Sequence, residues 1–146
     1  MIKRSFLKNT KLPFIGIGPM SKNCVDATIE LSNKHNLSLM LIASRRQIES
    51  TELGRGYVNN WSTEEFSSYV RKKDKKKKII LCRDHGGPWQ NDKDKKQKIS
   101  LKRAMLSAKK SFKTDIDNNF KIIHIDVSED PKNLISDNEK INRILI

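Results

Sequence analysis

Apolar residues in this chain fall into two patterns. Four runs are short and nearly continuous: Phe14-Ile15-Gly16-Ile17, Leu39-Met40-Leu41-Ile42, Ile79-Ile80-Leu81-Cys82 and Ile122-Ile123-His124-Ile125. Runs of this length without polar alternation predict strands buried on both faces, as parallel strands are. Between them the apolar positions take up helical spacing.

Leu101, Ala104, Met105, Ala108 and Phe112 form one stripe at helical spacing, with Ser100 placed to cap its start. An earlier helix opens at Ser62-Thr63-Glu64-Glu65, a capping box in which each end can satisfy the other's free amide. Trp61 and Phe66 stand at the two positions of a hydrophobic staple across that cap, and Tyr69 and Val70 continue the stripe. A first helix is predicted over 22–35, with Cys24, Ala27 and Leu31 on one face and Asn36 as its stop. A last one starts at a second capping box, Ser136-Asp137-Asn138-Glu139, and runs through Ile141, Ile144 and Leu145.

The order is β-α-β-α-β-α-β-α, the alternation that implies a parallel sheet with right-handed crossovers. The fold class is therefore α/β. Two architectures fit four βα units: a small doubly wound sheet, or the N-terminal half of a (β/α)₈ barrel. A whole barrel takes roughly 250 residues, and this chain has 146. A single partial domain over 1–146 is expected, since the last apolar stripe meets no stop signal before Ile146.

Composition narrows the classes. Charged residues are 32% and hydrophobic ones 36%, and no apolar run approaches the ~20 residues of a membrane span. The basic start is broken by Lys8, Lys11 and Pro13, unlike a signal peptide. Cys24 and Cys82 lie in apolar stretches and are expected as free thiols, which points to the cytoplasm. The net charge of +13 comes largely from two Lys-rich runs, 71–78 and 93–98, expected as surface loops and helix ends. They are nearly all Lys, without the Arg and stacking aromatics of a nucleic-acid groove, so solvated loops are favoured over a nucleic-acid footprint.

Chemistry in either architecture gathers at the C-terminal ends of the strands. The first strand is followed by Gly18-Pro19-Met20-Ser21, the second by Ser44-Arg45-Arg46-Gln47 and the third by Arg83-Asp84-His85-Gly86-Gly87. On the fourth, alternation points Ile123, Ile125 and Val127 toward the helices, and His124 and Asp126 the other way. That pair is either structural or functional. Asp84 and His85 can supply a proton donor or acceptor and a metal ligand, while Gly86 and Gly87 let backbone approach a phosphate or carbonyl. Arg45 and Arg46 either grip a phosphate or pair with Glu49 or Asp84. Gly54-Arg55-Gly56-Tyr57 reads as a loop over the site, and His35 as a surface residue. No zinc-finger spacing, nucleophile elbow or Walker sequence is present.

Four segments, in order, resemble one family. They are Ile42-Ala43-Ser44-Arg45-Arg46-Gln47, Gly56-Tyr57 with the Ser62-Thr63-Glu64-Glu65-Phe66 helix start, Ile80-Leu81-Cys82-Arg83-Asp84-His85-Gly86-Gly87-Pro88, and Lys121-Ile122-Ile123-His124-Ile125-Asp126-Val127-Ser128. They are similar to the N-terminal part of the GatZ/KbaZ family, the non-catalytic subunits of class II tagatose-1,6-bisphosphate aldolase. The resemblance implies a (β/α)₈ barrel in carbohydrate metabolism that supports a catalytic aldolase subunit and binds a sugar phosphate. Some relatives look like sugar epimerases. The Asp84-His85 pair resembles that of class II aldolases, which implies a divalent metal, zinc, on His85 and proton handling by Asp84; in the enzyme alternative Asp126 joins Asp84 as a catalytic candidate. Ser44, Arg45, Arg46, Gln47, Gly86, Gly87 and His124 are then the candidate substrate-binding residues.

Overall fold

A computed structural model describes residues 15–131 and 136–144. Its strands are β1 (Ile15–Ile17), β2 (Leu39–Ser44), β3 (Ile79–Gly86) and β4 (Ile122–Ile125). The helices are α1 (Lys22–His35), α2 (Thr63–Lys73), α3 (Asp92–Lys96), α4 (Leu101–Asp117) and α5 (Asp137–Asn142). All strand pairs are parallel, and the sheet runs β1-β2-β3-β4 in sequence order. The molecule is therefore α/β with a four-stranded parallel sheet. Within these strands the order never reverses. Sequential order is shared by neighbouring strands of a barrel and by one wing of a doubly wound sheet.

Helix starts follow local chemistry. The Ser62 side chain accepts from the Glu65 amide, and the Glu65 carboxylate accepts from the Ser62 amide, closing the capping box. Trp61 packs on Phe66 across it, with ring centroids 5.7 Å apart. Ser100 caps α4 by accepting from Arg103, and Asn36 ends α1 in the left-handed region at φ 55°. The capping box expected at Ser136 rests on the Glu139 side chain, and the end of its stripe on Leu145. Both lie outside the described residues, as does Phe14.

One side of the sheet carries the core. Leu41, Ala43 and Leu81 meet Val25 and Ile29 of α1 and Phe66 and Val70 of α2, with Phe120 closing the end. Fully burying a side chain the size of Phe66 contributes about 1.5–3 kcal/mol. The buried face of α1 differs from expectation. It is Val25, Thr28, Ile29 and Ser32, while Leu31 is 47% exposed. The β-branched pair Val25 and Ile29 has the i, i+4 spacing that meets β2, and this turns Leu31 outward.

Two further differences concern the ends of elements. Of the Lys-rich runs, 71–73 form the last turn of α2, a helix end as expected, whereas Lys93 to Lys96 lie in an additional short helix, α3. Asn91 caps α3 by accepting from the Asp94 amide, a start signal hidden among the charges. Strand β3 also continues past Cys82 to Gly86, so Asp84 and His85 belong to the strand itself. Cys24 and Cys82 are free thiols, and burial pushes the Cys82 thiol up to about 11.

Candidate functional site

The ends of β3 and β4 are joined through a register shift. Arg83 pairs with Ile123 and Gly86 with Ile125, so Asp84 and His85 together oppose His124. This is a β-bulge, and its extra residue, His85, sits at φ 44°. A non-glycine residue there is strained, and a bulge of this kind re-aims side chains.

Re-aiming produces two crossed carboxylate–imidazole pairs. His124 Nδ1 lies 2.9 Å from Asp84 Oδ1, and His85 Nδ1 lies 2.7 Å from Asp126 Oδ2. His85 Nε2 is 3.6 Å from Asp84 Oδ2, and the two imidazole centroids are 6.3 Å apart. Gln90 Nε2 donates to Asp126 Oδ2 at 2.7 Å, and the Ser128 amide donates to Oδ1 at 2.9 Å. Asp126 is thus buried with every oxygen bonded, as a buried carboxylate must be. Burial works against its charge, but the bonds from Ser128 and His85 outweigh it and hold the carboxyl below its ordinary value. At Asp84 burial is likewise outweighed, here by His124 and the His85 amide, and its carboxyl is also held low.

A carboxylate on Nδ1 favours the Nδ1–H tautomer of an imidazole. At His124 this leaves Nε2 as an open acceptor, whereas His85 Nε2 also faces the Asp84 carboxylate at 3.6 Å. Both imidazoles are exposed. A cavity of about 270 Å³ lies beside His85, lined by Ser44, Arg46, His85, Gln90, Ser128 and Glu129; His124 reaches it only through its pairing with Asp84 next to His85. The arrangement can move a proton at Nε2 of either histidine and can bond the hydroxyls of a small polar ligand.

The loop after β2 splits the candidates it carries. Ser44 faces the cavity, and the Gln47 side chain ties back to it, accepting from the Ser44 amide at 2.9 Å. Arg46 reaches the cavity with its Nε 3.0 Å from Asp92 Oδ1. Arg45 turns the other way and is fully buried. Its Nε donates to Glu49 at 2.6 Å, Nη1 to the Gly87 carbonyl at 2.6 Å and Nη2 to Ser107 at 2.8 Å. Of the two readings of Arg45, the structure shows the salt bridge to Glu49.

Gly86 and Gly87 serve close backbone approach. A Cβ on Gly87 would stand 1.7 Å from the Asp126 carbonyl oxygen, and one on Gly86 would stand 2.7 Å from the His124 carbonyl oxygen. These glycines bring β4 against the end of β3, and so bring the two pairs together.

Sequence reasoning missed the layer beneath. Arg83 is buried on the helix-facing side and grips Asp115 of α4 with two bonds, 2.8 Å and 2.6 Å. Its Nη1 donates to the Ile48 carbonyl at 2.7 Å, which anchors the loop carrying Arg45 and Arg46. Burial opposes its charge, and the Asp115 carboxylate outweighs that, holding the guanidinium above its ordinary value. Gln90 was missed as well. Neither has a local signal, because the partners stand 32 and 36 positions away.

Among the described residues no three His, Cys, Asp or Glu side chains gather as a metal-ligating group. A zinc site normally needs three or four protein ligands. A zinc ion on His85 would therefore need further donors. No helix of the described residues is long and apolar enough to cross a membrane.

No protein-family model matches the chain, and no curated protein matches it. Among solved structures it is similar in fold to a probable tagatose 6 phosphate kinase from Sinorhizobium meliloti 1021, with a TM-score of 0.71 at 18% identity. The match covers 90% of this chain and 34% of that one. At this identity the likeness shows a shared fold alone, and the chain spans about a third of the length of that structure.

Proposed function

We propose that this chain supplies four βα units of a (β/α)₈ barrel in carbohydrate metabolism, binding a sugar phosphate at the strand ends. The observation that carries this reading is the crossed set Asp84–His124 and His85–Asp126 beside the cavity at the C-terminal ends of β3 and β4. Barrel enzymes place their ligands at that end. The sequential parallel order supports the barrel, and the resemblance to the GatZ/KbaZ family supports the ligand class. The protein of like fold is described as a probable tagatose 6 phosphate kinase, which agrees with a sugar phosphate.

In this reading the chain is an accessory subunit that assembles with a catalytic class II aldolase subunit. Ser44, Arg46, Gln90 and His124 bond the ligand. Gln47 holds Ser44 in place, and Arg45, Gly86 and Gly87 shape the site from behind. A second reading is favoured by the two histidines whose Nδ1 is held by a carboxylate. Imidazoles held in this way suit proton transfer on a sugar phosphate, as an epimerase or lyase requires, with Asp84 and Asp126 as the groups that hold them. His85 would be the metal ligand if a divalent ion completes that site.

Mixing the chain with a class II tagatose-bisphosphate aldolase catalytic subunit tests the first reading. The expected result is no cleavage of tagatose 1,6-bisphosphate by the chain alone, and higher activity and longer half-life of the catalytic subunit with it. An unchanged catalytic subunit, together with turnover of a sugar phosphate by the chain alone, selects the second. Neither effect, with no sugar-phosphate binding at millimolar concentration, overturns both.

A further inference from the structure

A second cavity, of about 390 Å³, opens on the far side of Arg46, between the loop after β2 and helix α3. Its wall carries Arg46, Arg55, Lys93 and Lys96, with the Tyr57 ring beside them. Lys93 and Lys96 are three residues apart on α3, so one helical face presents both. Gly54, at φ 105°, lets the opposite loop run close to the Lys93 stem, which would lie 3.8 Å from a Cβ at that position.

The charges facing this space do not cancel. Asp92 on the rim holds Arg46, and Arg55 is paired with Glu65. Behind the wall, Asp94 and Glu49 are occupied by buried Arg45. Lys93 and Lys96 have no carboxylate within ion-pair distance among the described residues. By contrast Lys95, on the same short helix, is paired with Glu129 at 2.8 Å. Two unneutralised ammonium groups thus stand over a concave, partly walled space that also exposes two guanidinium groups.

We propose that this cavity binds a phosphate monoester, held by Lys93 and Lys96 with Arg46 as the shared wall. Lysine ammonium groups take phosphate as point charges, and arginine adds a directional fork. Arg46 also lines the cavity beside His85, so one guanidinium borders both spaces. A ligand with its phosphate on the lysines would run past Arg46 toward the histidines. This placement rests on the sugar-phosphate reading, whereas the anion site itself does not. Tyr57, 59% exposed, offers an aromatic face for the ligand body.

The test is calorimetric titration of the full chain with inorganic phosphate and with tagatose 1,6-bisphosphate, at fixed ionic strength. Two double variants are compared: Lys93→Gln with Lys96→Gln, and Lys75→Gln with Lys76→Gln from the other lysine run. Both remove the same charge from exposed positions, and circular dichroism confirms that each remains folded. The first pair is expected to weaken phosphate binding about tenfold, or roughly 1.4 kcal/mol, and the second less than about twofold. Equal weakening by both pairs overturns the proposal, because the effect is then diffuse charge. No phosphate binding by the parent chain also overturns it. If phosphate binds as expected but the sugar bisphosphate binds no better, the anion site stands and the sugar-phosphate reading fails. If the sugar bisphosphate binds equally well to the first double variant, the reading stands and this site fails.

Discussion

His85 Nδ1 lies 2.7 Å from Asp126 Oδ2, across a bulge that only β3 contains. The carboxylate therefore favours the tautomer with the proton on Nδ1, while Nε2 stands 3.6 Å from the Asp84 carboxylate. Replacing Asp126 by Ala removes the acceptor. Nitrogen shifts of the His85 ring are expected to move from the Nδ1–H tautomer toward a mixture, while the His35 ring stays unchanged. An unaltered His85 tautomer would show that the pair has no directing role.

The same carboxylate makes stability depend on pH in a defined direction. Asp84 and Asp126 are both held below the ordinary carboxylate value of about 3.9. Their contribution is fully present above that value and is lost as pH falls through the lower, folded-state value. Asp126→Asn is expected to cost about 1–3 kcal/mol at neutral pH and much less under strongly acid conditions. Urea midpoints followed from pH 7 down through the acid range check this. Asp84 is more exposed, so solvent screening makes its share smaller.

Arg83 and Asp115 form a fully buried pair, each with a side-chain exposure of 0%. Arg83→Met leaves Asp115 as an uncompensated buried carboxylate, expected to cost about 3–5 kcal/mol. Arg83→Met combined with Asp115→Leu is expected to recover most of that loss, because apolar replacement of a whole pair is often close to neutral. Chemical denaturation of the three variants decides it. A double variant as unstable as the single would mean that the bonds from Arg83 to Ala43 and Ile48 matter more than the ion pair.

Gly87 lies against the backbone of Asp126, just past the end of β4. Gly87→Ala places a methyl group against the Asp126 backbone and is expected to cost about 1–3 kcal/mol, as forced overpacking does. The bond between His85 and Asp126 should weaken with it. A variant with unchanged stability and an unchanged His85 signal would show that the two strand ends separate freely.

Much of this was legible because it is local or periodic. The Ser62 to Glu65 capping box, the Trp61 staple and the Asn36 stop each follow from residues within one turn of each other. Asp84, His85, His124 and Asp126 could be named in advance as strand-end groups, since alternation and strand position suffice. Their crossed pairing could not be named, because it depends on a one-residue register shift that no residue in β3 announces. Of the two readings open for Arg45, the pair with Glu49 was available because the two stand four positions apart. Arg83 was harder still. An arginine on the helix-facing side of a strand reads as a surface or site residue until its partner is known, and that partner, Asp115, comes from α4. The outward turn of Leu31 was hidden by the choice of face, since Cys24, Ala27 and Leu31 match helical spacing as well as Val25 and Ile29 do.

For crossed histidines that stand at a sugar-phosphate site, the chain provides its own control. It has three histidines, and His35 stands exposed at the end of α1, away from the cavity. The most direct measurement follows the three imidazole signals by nuclear magnetic resonance while tagatose 1,6-bisphosphate is added. Saturable shifts are expected at His85 and His124 and none at His35. No shift at any ring, or equal and unsaturable shifts at all three, would contradict a sugar-phosphate site there.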